Sequence, residues 1–93
     1  MKLPVADHPT DGRAETLSLT LKWMENLLSM DEEISHEAIR DAKFSAALKQ
    51  AYSALAGGAL EFAESDVELA IERFAEIQNR AFLNRRVRQV SYD

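Results

Sequence analysis

Cysteine is absent from the chain, which removes both a disulfide framework and any thiolate metal site. Proline and glycine are scarce, with two and three residues. Pro4, Pro9 and Gly12 fall within the first thirteen positions, so only Gly57 and Gly58 punctuate the remainder. No apolar run approaches the roughly 20 residues that span a bilayer. The opening MKLPVADHPT lacks the apolar core of a secretory signal, and a cytoplasmic protein with no membrane partner is expected. Histidine is limited to His8 and His36, too few for a typical zinc site without carboxylate help.

What remains is a 93-residue chain, 46% apolar and 29% charged, the composition of one folded domain with a modest core. Its net charge of −5 is unevenly spread. Residues 1–79 carry seven Lys/Arg against fifteen Asp/Glu, whereas residues 80–93 carry Arg80, Arg85, Arg86 and Arg88 against Asp93 alone. An acidic body repels nucleic acid, while a basic end suits an anionic partner. The simpler reading of those arginines is that they complement the macrodipole at a helix C-terminus.

Apolar spacing points to helices. Residues 1–13 hold both prolines and no period, and read as an extended or disordered arm, with a helix start marked by Asp11-Gly12. Leu17, Leu21, Met24 and Leu28 share one face of a first helix over 14–29. The alternation in residues 16–21 is strand grammar, but a lone strand has no partner for its backbone, so helix is preferred. Phe44, Leu48, Ala51, Leu55, Ala59 and Phe62 predict a second helix over 35–63, kinked or broken at the glycines. Val67, Ala70, Phe74, Ile77 and Ala81 predict a third over 66–85, opened by the capping box Ser65-Asp66-Val67-Glu68 and closed by Asn84 as a left-handed cap. Residues 14–88 then form a single helical domain, followed by a tail at 89–93.

The chemistry-bearing patterns are thin. His36-Glu37 starts a metalloprotease-like motif, but Arg40 stands where its second histidine belongs. Glu68, Glu72 and Glu76 share a face opposite the apolar stripe, so they read as solvated, and no Glu-x-x-His pair accompanies them. Gly57-Gly58 lacks the Lys-Ser/Thr of a phosphate loop. Neither a catalytic residue, a metal site nor a cofactor is expected. Gly58-Ala59-Leu60 with Ser65–Phe74 resembles the turn and second helix of a tetratricopeptide repeat. The likeness covers under a third of the chain, its first-helix glycine and leucine fall one residue out of register, and no second copy is present. It reads as shared hairpin physics.

The expectation is therefore an all-α, three-helix protein built on a long antiparallel hairpin and completed by dimerisation. At 1.5 Å per residue its helices measure roughly 24, 43 and 30 Å, so the first cannot cover the groove of the other two, and a second copy is the simplest cover. The residues expected to meet the second copy or another protein are Trp23, Leu27, Phe44, Leu48, Tyr52, Leu55, Gly58 and Phe62, with Gly58 allowing a close approach. The functional expectation is a non-enzymatic protein-interaction module acting as a homodimer. The alternative is a nucleic-acid-associated regulator using Arg80, Arg85, Arg86 and Arg88, disfavoured by the acidic body and the lack of interleaved aromatics. A ligand-binding bundle or enzyme ranks last.

Overall fold

The structure, a computed structural model, describes residues 9–91, with side chains over 12–87. Every regular element among the described residues is a helix: α1 (Pro9–Met30), α2 (Glu32–Ile39), α3 (Ala42–Ala56) and α4 (Leu60–Ser91). The all-α expectation holds, but with four helices where three were expected. Residues 1–8 and 92–93 lie outside the described residues, so most of the expected arm and the end of the expected tail do too.

α1 begins earlier than Asp11-Gly12 suggested. Pro9 suits a first helical position, since its fixed φ matches the helix and its missing N–H has no partner there anyway. The polar-apolar alternation of residues 16–21 sits inside this helix. Thr16 Oγ1 donates to the Gly12 carbonyl at 2.8 Å and Thr20 Oγ1 to that of Thr16 at 2.9 Å, so these hydroxyls bond within their own helix. Leu17, Leu21 and Met24 are buried and Leu28 half-buried, the face that their spacing predicts.

The expected helix over 35–63 is broken twice. Asp41 takes an extended conformation (φ −98, ψ 96) and accepts from the Phe44 N–H at 2.9 Å. That is an N-cap, so a new helix starts after it. Asp31 does the same for α2, accepting from the Ile34 N–H at 3.1 Å, with Glu32 and Glu33 in the first turn where the dipole favours anions. The second break falls at the glycines. Ala59 N–H donates to the Ala54 carbonyl at 2.9 Å and Gly58 N–H to that of Leu55 at 3.1 Å, the paired bonds of a Schellman turn. Gly58 sits at the left-handed position of that turn, with φ +77.

Three expectations fall here. A Cβ on Gly58 would meet nothing within 4 Å, so no helix approaches there and the glycine serves backbone conformation instead. Ser65 does not cap a helix, because α4 already runs from Leu60 and passes straight through the 65–68 box. Asn84 is no terminal cap either, since α4 continues to Ser91. The turn also resets the helical phase. In α4 the inward seam is Ala63, Val67, Ala70, Phe74, Ile77 and Ala81, all buried. Phe62 precedes Val67 by five residues, about 140° around the helix, and points outward with 73% of its surface exposed.

The core lies where α1 and α3 meet α4. Phe74 is its hub: it stacks on Phe44 with ring centroids 5.8 Å apart and receives the edge of Trp23 at 6.0 Å. α1 runs in the same direction as α4, since Arg13 pairs with Glu64 near one end and Asp31, just past α1, pairs with Arg85 near the other. α2 and α3 follow each other back along α4. At 1.5 Å per residue α1 is about 33 Å long and α4 about 48 Å, so α1 stops about 15 Å short of α4, a narrower gap than the one expected between 24 and 43 Å. The chain measures 63 × 25 × 16 Å, only about two helix layers thick in its shortest direction. A two-layer body covers one face of each helix and leaves another open.

Candidate interaction site

Polar contacts tie α2 and its flanks to α4. Arg85 Nη2 donates to both oxygens of Asp31, at 2.9 and 3.1 Å. Asn84 Nδ2 donates to Oε2 of the buried Glu37 at 2.7 Å. Asp41, also buried, accepts from Arg73 Nη2 at 2.6 Å, and Arg80 lies 3.6 Å away. The guanidinium of Arg73 and the N–H of Phe44 hold the Asp41 carboxyl below its ordinary pKa of 3.8. The N–H of Ile34, then Arg85, do the same for Asp31. The two helix caps are thus locked from the side by arginines of α4. Among the described residues no buried side-chain nitrogen or oxygen is left without a partner.

This seam accounts for most of the basic end. Arg80 and Arg85 are engaged by Asp41 and Asp31, and Arg86 lies over the ring of Phe82 at 5.7 Å. The side chain of Arg88 lies outside the described residues. The dipole reading of the arginines is therefore incomplete, because Arg85 reaches across to another helix cap.

The residues expected at an interface do not share one surface. Phe44 is a core residue and reaches no surface. Leu27, Leu48 and Leu55 are half-buried against that core. Tyr52 is exposed over about a third of its surface and faces Glu25 of α1; partial burial raises its phenol pKa, with the carboxylate acting in the same direction. Gly58 belongs to the turn. Trp23 and Phe62 present the most exposed apolar side chains of the set, 54% exposed for the indole.

Trp23 does not stand alone. Leu19, one turn earlier on α1, is 59% exposed, and Thr16, Leu19, Thr20 and Trp23 line a shallow depression of about 250 Å³. No titratable group lines it. On α4, Phe62, Leu69 (41% exposed) and Leu83 (51%) lie along one outer stripe. Leu19, Leu69 and Leu83 were missed in the sequence reading, although their spacing of four from Trp23 and of seven from Phe62 is visible there. Periodicity alone gives each helix one inward face, and the outer face shows only in the exposure of these residues.

A second depression, about 430 Å³, borders the α3–α4 turn between Arg13, Gly58–Phe62 and the start of α4. Glu68, Glu72 and Glu76 are exposed. Among the described residues no group of three or more His, Asp or Glu side chains is placed to hold a metal, and no helix is long and apolar enough to cross a membrane. No protein-family model, curated protein or solved structure matches the chain.

Proposed function

We propose that the chain is a non-enzymatic protein-interaction module that works as a homodimer and binds a partner protein through the outer face of α1. The observation that carries this reading is the exposure of Trp23 beside Leu19 over a depression lined only by threonine and apolar groups. Large apolar side chains held at a surface by a rigid helix lose little conformational freedom on docking, and tryptophan is the commonest anchor of protein interfaces. Catalysis needs convergent polar groups in a concavity, and here the strong polar groups are instead directed at one another along the α2–α4 seam. The nucleic-acid alternative is weakened by the same seam, since Arg80 and Arg85 are paired with aspartates of their own chain.

The test uses immobilised wild-type chain and the variants Leu19→Glu and Trp23→Glu in extract from the native cell. A protein retained by wild type and lost from both variants supports the reading. Retention that ignores both substitutions, or no retention at all, contradicts it.

A further inference from the structure

We propose that residues 31–40, with α2 at their centre, form a strap that melts as a unit of its own while α1, α3 and α4 stay folded, and that ionic strength controls its release. The inference goes beyond the partner-binding reading and uses none of its residues. α2 has little apolar hold on the body. Of its eight residues Glu37 and Ala38 are buried, and Ile34 is half-buried against the core. Ile39, at its C-terminal end, keeps 78% of its surface in solvent. α3, the next helix, buries Phe44, Ala47 and Ala51 and sets Leu48, Ala54 and Leu55 against the core. Local stability within a protein tracks such apolar burial, which places α2 at its low end.

Charged groups hold the strap instead. At one end Arg85 grips Asp31 in an ion pair that is partly open to solvent at both partners. In the middle Asn84 donates to the Glu37 carboxylate. At the other end Arg73 and Arg80 meet Asp41, which is buried. Salt screens an exposed pair far more than a buried one. Rising salt therefore frees the Asp31 end first and leaves Asp41 as the anchor from which α3 starts. A helix of eight residues is too short to persist in water without its packing surface, so release of α2 becomes local melting. Ala81 of α4 is buried and lies one turn from both Asn84 and Arg85, on the face that α2 covers. Melting of the strap uncovers Ala81 and leaves Ala70, in the core cluster about three turns earlier, covered.

Hydrogen exchange of the full chain, read by mass spectrometry at constant pH, tests the unit. At about 50 mM salt, protection of the amides at 35–40 should be about tenfold or more lower than in the middle of α3, and at about 500 mM the gap should widen. Arg85→Ala should widen it already at low salt and remove most of its salt dependence. The chain has no cysteine, so Ala81→Cys and Ala70→Cys give single thiols. Maleimide labelling at position 81 should speed up about tenfold across that salt range, with labelling at position 70 unchanged. Strap amides protected as strongly as those of α3 overturn the proposal. So does exchange that rises with salt equally in all helices, which is unfolding of the whole chain. Labelling at position 81 that ignores salt overturns it as well.

Discussion

Asp41 Oδ2 lies 2.6 Å from Arg73 Nη2, while Oδ1 of the same carboxylate accepts the Phe44 N–H that opens α3. One side chain thus starts a helix and pins it to α4. Asp41→Ala removes both functions and should cost about 2–3 kcal/mol, combining a lost cap with a lost partly buried ion pair. In a chain of this size that is roughly 10–20 °C in melting temperature. Asp41→Asn keeps a capping oxygen and loses the charge, so it should cost about 1 kcal/mol. Equal losses in thermal melts of the two variants would show that capping plays no part.

The acid side of the stability profile follows from the same group. The native pKa values of Asp31 and Asp41 lie below the ordinary value of 3.8. A carboxyl whose native pKa is depressed binds fewer protons folded than unfolded in that range, so its stabilisation is complete above about pH 4 and fades as pH falls through the native values. The melting-temperature gap between wild type and Asp41→Asn should therefore be constant from neutral pH to about pH 4 and shrink below it. A gap that persists unchanged to pH 2 contradicts the ion-pair account.

Gly57 and Gly58 should respond oppositely to alanine. Gly58 has φ +77, where a Cβ costs about 1–2 kcal/mol, so Gly58→Ala should destabilise. Gly57 has φ −88, and a Cβ there meets the Ser53 carbonyl oxygen at an ordinary 3.5 Å. Gly57→Ala should be neutral or stabilise by up to about 1 kcal/mol. Urea titrations of the two variants decide this, and equal losses contradict the turn assignment.

The glycine pair also marks how far the sequence carries. Both helical stripes that pack inward, Leu17–Leu21–Met24 and Val67–Ala70–Phe74–Ile77–Ala81, are legible because burial repeats at helical spacing. The turn was harder. An apolar stripe seemed to run through Gly57-Gly58 because Ala59 and Phe62 happen to continue its phase, and a left-handed residue that resets the phase leaves no mark in periodicity. Asp41 was legible in principle, as an aspartate three residues before Phe44, but an N-cap inside an apolar pattern is easily read as a surface residue. Its link to Arg73 spans 32 positions, and no local pattern encodes such a pair. At the candidate site, Trp23 and Phe62 were found as bulky apolar residues. Phe44 was wrongly placed beside them because composition does not tell an inward aromatic from an outward one.

Phe74 and Trp23 touch, yet their substitution should have unequal consequences. Phe74 is buried between two rings, and Phe74→Ala should cost about 3–5 kcal/mol, close to the whole stability of a small domain. Trp23 is half exposed, so Trp23→Ala should cost only about 1–2 kcal/mol by lost burial. Circular-dichroism melts of both variants separate them. A Trp23→Ala protein that fails to fold would mean that the indole serves the core and not a surface.

The most direct test of the interaction account places a photo-crosslinking side chain at Leu19, beside Trp23, in the full chain expressed in its own cell. The account predicts an adduct with another protein on irradiation, lost when Trp23→Glu is added. It also predicts little product at twice the 10.5 kDa chain mass, since this face is proposed for a different protein. Absence of any adduct, or a product confined to twice the chain mass, would contradict the claim that α1 carries the partner site.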